Sequence, residues 1–345
     1  MKILNRILLF VIPAGLVLTS CEGPQGPQGI DANQSCTECH DNSAQIETKQ
    51  AQWEHSLHAT GENAAYANRA GCAECHTSQG FLEYVAEGSR ANISLPDEPM
   101  QINCYTCHEI HTTYTEEDYS LTKPGAETLI LKAKDGSTVT WDKGTSNQCV
   151  GCHQARNVAT IPVQNAATFS ITDTRFGPHH APNSNLMLGK IPFELTGSAA
   201  YPTTNPHNLS NACIDCHMSK PYGYMAGGHS MNMFYDAHGV ETLNTNACIT
   251  CHTDATTAKN KFTALQTAVS TKLSKLESQL TAANVYNPTT GLAKAGTTTG
   301  NAALAYLCYN TIKEDKSFGM HNPSYTKALL DNAIQAMTAL GFPAP

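Results

Sequence analysis

Apolar positions fall into three different patterns along the 345 residues. At the amino terminus Lys2 and Arg6 precede an unbroken apolar run from Ile7 to Leu18, the charged and hydrophobic regions of a secretory signal spanning residues 1–20. At the other end, Phe262, Leu265, Val269, Leu273, Leu276 and Leu280 recur at intervals of three and four, which predicts an amphipathic helix over 258–283. A second helix is predicted over 301–312. A third opens at Pro323, a residue suited to a first turn, and aligns Leu329, Leu330, Ala333, Ile334 and Met337 on one face. Between these ends no sustained periodicity appears, except in residues 127–141. There two β-favouring runs flank Asp135-Gly136, the signature of a small hairpin.

That aperiodic middle carries the chemistry. Cys-x-x-Cys-His occurs six times: Cys36/Cys39/His40, Cys72/Cys75/His76, Cys104/Cys107/His108, Cys149/Cys152/His153, Cys213/Cys216/His217 and Cys248/Cys251/His252. With 14 Cys and 15 His in the chain, chance would place ~0.02 such pentads. Two thiols tether one porphyrin and the adjacent histidine ligates its iron, so six covalent haems c are expected. A structural zinc site would draw four ligands from paired motifs at set distances. Here every pair has its own histidine and the motifs start 36, 32, 45, 64 and 35 residues apart. The region 36–252 is too short to build an ordinary core around each macrocycle, so the haems themselves should be the core. The expected fold is a multihaem cytochrome c: mostly loop and short α-helices wrapped around a haem array, one small β-hairpin, and C-terminal amphipathic helices. Residues 253–345 should form a helical cap that supplies a distal ligand.

Nine histidines lie outside the motifs, enough to close the sixth coordination position of all six irons with three to spare. Such a surplus points to bis-histidine ligation and electron transfer rather than bond chemistry. The nine methionines are read as packing against porphyrin. His111 lies three residues after His108; at helical spacing both imidazoles share a face, so His111 should ligate a neighbouring haem. His321, just ahead of the third helix, should pin the cap to the array. His229 and His207 are further distal candidates, and His58 is preferred to His55. Either His179 or His180 serves in Gly177-Pro-His-His180, and His238 is the expected spare.

Leu18-Thr19-Ser20-Cys21 resembles the bacterial lipobox, which makes Cys21 a lipid anchor to the membrane without a spanning helix. The Gly/Pro/Gln stretch after it reads as a tether over residues 21–35. Cys308 is left over, as a buried inert thiol or an interchain disulfide. Loss of residues 1–20, which hold two basic groups and no carboxylate, takes the net charge from −8 to about −10. That argues against nucleic acid and for redox partner proteins, cationic metal species and mineral surfaces.

Several phrases together resemble the multihaem c-type cytochromes of bacterial outer surfaces used in extracellular electron transfer. They are Trp-x-x-Ser-x-His at Trp53–His58, Cys-His-x-x-His at Cys107–His111, Ser-Asn-x-Cys-x-x-Cys-His-Gln at Ser146–Gln154, Gly-Pro-His-His at Gly177, Cys-His-Met at Cys216, Gly-His-Ser at Gly228 and His-Asn-Pro-x-Tyr at His321. The resemblance implies bis-His haems packed in parallel and T-shaped pairs as a continuous wire, with partner cytochromes, metal oxides or soluble metals as redox partners. It implies an envelope location, lipid-anchored at the outer membrane and facing outward. Some relatives form homopolymeric filaments in which a histidine is donated across the interface; the lipobox at Cys21 departs from a freely secreted subunit. An enzyme of the multihaem reductase type needs one open haem, whereas all six motifs end in His.

Overall fold

The computed structural model describes residue 40 and residues 44–343 apart from 62, 67, 68, 70, 157 and 159. The expected signal segment, Cys21, the tether and the first motif's Cys36 and Cys39 lie outside the described residues. The helices are α1 (Ala44–Glu54), α2 (Leu57–Thr60), α3 (Ala73–His76), α4 (Ser78–Glu87), α5 (Cys104–Cys107), α6 (Asn147–Val150), α7 (Asn183–Leu188) and α8 (Ala212–His217), followed by the long α9 (Ala255–Ala282), α10 (Gly300–Asp315) and α11 (Pro323–Ala339). Short turns predominate before residue 253 because nothing there repeats at 3.6 residues. Each motif needs only one turn to bring two cysteines to the same side.

The three C-terminal helices do repeat, and they pack on one another. Asp254, Thr299 and Asn322 cap them, their side chains accepting from the backbone of Thr257, Ala302 and Tyr325. Each cap satisfies an amide with no partner in its own helix, worth about 1 kcal/mol. Val269, Leu276 and Leu280 meet Leu304, Leu307, Ile312, Leu329, Leu330, Ala333 and Met337, all buried. The same core runs on into the middle of the chain through Leu186, Ile191, Phe193 and Leu195. Cys308 sits inside it, fully buried, its thiol donating to the Phe193 carbonyl at 3.3 Å and its pKa pushed up to about 12 by burial. That burial leaves no route to an interchain disulfide. Among the described residues no helix is long and apolar enough to cross a membrane.

The hairpin forms, but its ladder is short: β1 (Glu127–Thr128) pairs antiparallel with β2 (Thr140–Trp141), and Gly136 takes the left-handed turn at φ 81°. Three further two-stranded ladders correct the expectation of a single one: β3 (Phe169–Ile171) with β8 (Gly296–Thr298), β4 (Phe234–Asp236) with β5 (Glu241–Leu243), and β6 (Tyr286–Asn287) with β7 (Leu292–Ala293). Strands of two or three residues are too short to show an alternating pattern. The β3–β8 ladder stitches the motif region to the cap.

Around the motifs the protein's own core is thin. One cluster holds Ala73, Phe81, Tyr84 and Ile93, and another centres on Trp141 and Val150. Buried charge fills part of the gap. Glu127, 5 % exposed, is bound by Lys123 Nζ at 2.5 Å, Arg90 Nη2 at 3.1 Å, Gln154 Nε2 at 3.1 Å and the Tyr84 hydroxyl at 2.8 Å. Arg90 also reaches the Gly151 carbonyl at 2.5 Å and lies 3.8 Å from Cys75 Sγ, so this network joins the second and fourth motifs.

Burial disfavours the Glu127 carboxylate, but hydrogen bonds from Lys123, Tyr84 and Arg90 outweigh it and hold the pKa below the usual 4.5. Its stabilising effect is therefore complete above about pH 4.5 and lost as the pH falls through the folded-state value. Glu127→Gln should cost about 3 kcal/mol at pH 7, the low end for a broken buried pair because Arg90 and Lys123 keep some contact with water. Thermal melts of wild type and variant should converge as the pH falls through the lowered folded-state value; a gap that stays constant with pH would show that ionised Glu127 is not the source.

Candidate functional site

Four of the described motifs share one construction. The histidine N–H donates to the carbonyl four residues back: His76 to Cys72 at 3.0 Å, His108 to Cys104 at 2.9 Å, His153 to Cys149 at 2.9 Å and His252 to Cys248 at 2.8 Å. One such turn places the two sulfurs on a common side with the imidazole beside them. Asn103 fixes the third turn with a capping box to Thr106.

The motif histidines face a second set of imidazoles at nearly constant separation. Ring centres lie 6.2 Å apart for His40–His111, 6.1 Å for His58–His153, 6.4 Å for His76–His179, 6.2 Å for His108–His229 and 6.3 Å for His217–His321. An imidazole nitrogen sits about 2.0 Å from a ligated metal, so two imidazoles on opposite sides of one ion hold their ring centres roughly 6.3 Å apart. The pairs therefore have the spacing of two trans ligands on one iron, and the residues fit a haem with its tethering cysteines. His252 has no imidazole at this spacing among the described residues.

The remaining candidates are placed as follows. His207 directs Nδ1 at the Met320 carbonyl, 2.6 Å away, as His108 does at Tyr119 (2.8 Å) and His217 at Met231 (2.9 Å). An Nδ1 held in this way leaves Nε2 free to point at a metal. His180 is exposed and hydrogen-bonded to Glu314, while its neighbour His179 faces His76. His55 is exposed against the Tyr224 ring and His238 is exposed on a loop.

The helical premise for His111 is wrong. Helix α5 stops at Cys107, His108 is extended at φ −122°, and His111 is left-handed at φ 60°. Asp118 forces this turn: its carboxylate accepts from the backbone N–H groups of His111 (2.7 Å), Thr113 (2.6 Å) and Tyr114 (3.2 Å). A buried loop carboxylate satisfying three amides outcompetes a helix whose next turn would lack a buried face. The consequence for pairing is nevertheless that His108 and His111 face different partners.

Burial keeps several of these imidazoles neutral, the form a metal requires. His58, His179 and His229 are each lowered to about 4, by burial first and then by His153, His180 and His108 respectively. His153 and His217 are lowered for the same leading reason. His321 goes the other way. Burial opposes its charged form, but the Asp315 carboxylate, 2.6 Å from Nδ1, outweighs that and raises it.

Motifs far apart in the chain come together. The thiols of Cys75 and Cys152 lie close together, and so do those of Cys149 and Cys213. Cys107 lies within electrostatic range of Cys149 and Cys152, and Cys216 within range of Cys248 and Cys251. With His108 and His111 joining the first and third motifs, all six form one connected set.

Sequence reasoning missed the residues that aim the imidazoles. Gln52 accepts from the His229 N–H at 2.9 Å, and Asn183 Oδ1 lies 3.2 Å from His153 Nδ1. No local pattern marks either one, because Gln52 acts across more than a hundred residues and Asn183 from a separate helix.

No family model matches the chain, and no curated protein sequence does. Among solved structures it is similar to the crystal structure of outer cell wall cytochrome OcwA, at 20 % identity with a TM-score of 0.53, over 84 % of this chain and 50 % of that one. An undecahaem cytochrome from the S-layer of Carboxydothermus ferrireducens aligns at 20 % identity with a TM-score of 0.47, over 85 % of this chain and 41 % of that one. The chain thus spans half the length of these structures or less. The likeness to the cell wall cytochrome shows the fold: short helices, small ladders and long connecting loops in the arrangement of a multihaem c-type cytochrome.

Proposed function

We propose that this chain is an electron-transfer cytochrome that carries six haems c and relays electrons at the cell envelope surface. The five imidazole pairs at 6.1–6.4 Å carry the reading. Bound haem supplies a one-electron couple that needs no bond to form or break. The chain's own part would be to offer an imidazole to each side of the iron, which would keep small molecules from it, and to hold successive motifs in contact. Cys75 against Cys152 and Cys149 against Cys213 support close packing of successive sites. For the pair around His76 the ligand is His179, since His180 is engaged by Glu314. For His252 the remaining distal candidate is His207, whose Nδ1 is anchored as those of His108 and His217 are, although its ring does not stand at the spacing of the five pairs. Redox partner cytochromes, metal oxides and soluble metals are the partners this reading supplies, and the outward-facing lipid anchor at Cys21 sets the location.

A second reading rests on His252. Were its iron left five-coordinate, the protein would be a multihaem reductase with one open site.

Carbon monoxide added to the reduced protein separates the two. A relay with six closed haems shows no adduct in wild type and one adduct in His207→Ala; an adduct in wild type would place the open site at His252 and favour the reductase. In the oxidised protein, His111→Ala should keep all haems attached yet turn one of them high-spin by electron paramagnetic resonance, and that one should be the haem tethered by Cys36 and Cys39. Retention of a wholly low-spin spectrum would refute the His40–His111 pairing. Cys21→Ala should move the protein from the membrane to the soluble fraction, and continued sedimentation with membranes would count against the anchor.

A further inference from the structure

The outer nitrogens of the paired imidazoles do not all meet the same kind of partner. His108 and His217 face backbone carbonyls, and His153 faces the side-chain amide oxygen of Asn183. His321 faces a carboxylate, Asp315 Oδ1, at 2.6 Å. The Asp315 side chain is 1 % exposed. Its other partners are neutral: the Ser317 hydroxyl, and Asn183 Nδ2 at 2.9 Å. Among the described residues no lysine or arginine forms an ion pair with it. A buried carboxylate is thus aimed along a hydrogen bond at one of the paired imidazoles.

A carboxylate accepting the Nδ1 proton makes the imidazole more basic and a stronger donor to the metal. Ferric iron carries one more positive charge than ferrous iron, so the same charge favours the oxidised state, and weak screening in the interior makes the effect large. We infer that Asp315 sets the potential of the haem held by His217 and His321, keeping it below what a carbonyl-partnered pair would give. This rests on reading that pair as axial ligands. One electron arrives from a neighbouring haem and leaves to another; the Nδ1 proton stays between His321 and Asp315, and no bond breaks.

The position of this residue gives the effect a role. Cys213 touches the fourth motif and Cys216 is within range of the sixth, so the tuned site lies inside the array rather than at an end. Asn183 extends the influence, because the amide that donates to Asp315 also meets His153 Nδ1. A single buried carboxylate thereby acts on ligands of two successive haems. Asp315 is a positioning residue in this scheme.

The test is potentiometric titration of the holoprotein followed by electron paramagnetic resonance, with the relevant signal identified as the low-spin component lost in His321→Ala. Asp315→Asn keeps the size of the side chain and removes its charge. At fixed ambient potential it should raise the reduced-to-oxidised ratio of that component about tenfold, which is 59 mV for a one-electron couple. Ser317→Ala strips a donor from the carboxylate, strengthens its pull on His321 and should lower the ratio. An unchanged ratio in Asp315→Asn, with all haems attached and low-spin, overturns the inference. Should Asp315→Asn fail to take up haem, Ser317→Ala decides alone: a lowered ratio supports the inference and an unchanged one overturns it. A high-spin haem at His217 in the wild-type protein would instead defeat the ligation reading on which the inference stands.

Discussion

Two imidazoles could share an iron only if the chain held them at one separation, and five pairs of imidazoles stand at that separation. The five pairs join residues between 71 and 121 positions apart. Closing so many long loops is entropically expensive, and local contacts in a region of one-turn helices cannot offset it. Metal ligation can, because the free energy of binding at a site absent from the unfolded chain is also free energy of folding. Ligation of that kind would fit the two small apolar clusters found around the motifs among the described residues, while the large continuous core is centred on the C-terminal helices.

Rigid support comes from the cap and from buried polar groups. Asp315 at the end of α10 and the Met320 carbonyl in the following turn hold His321 and His207, so the helices that form the largest core also aim imidazoles. Within the motif region Asp118 does this for His111, Gln52 for His229 and Asn183 for His153. The Arg90–Glu127–Lys123 network places charge against two motifs at once. Such groups give direction where apolar packing gives none, and each is satisfied by several partners, which is the condition for burying it.

Local chemistry was readable from the residues, and long-range pairing was not. The six motifs need only five neighbours each, and α9, α10 and α11 announce themselves by apolar residues at three and four, within three residues of their observed ends. The hairpin at Asp135-Gly136 was visible for the same reason, though only its first pairs form a regular ladder. The other three ladders have no periodic signal because two or three residues cannot carry one. His111 shows the limit most clearly. Spacing from His108 suggested a shared helical face, but Asp118 ends the helix and turns the backbone left-handed, so the expected separation of partners arises by a different route. Asp315 stands six residues before His321 at a helix end, where nothing distinguishes it from a solvent-exposed acidic residue until the fold buries it.

The most direct measurement is an anomalous difference map at the iron edge from crystals of the haem-loaded protein. The account predicts an iron midway between the imidazoles of His40 and His111, His58 and His153, His76 and His179, His108 and His229, and His217 and His321, with a sixth on His252. An iron bound by a motif histidine but facing a different residue from the one named here would contradict it.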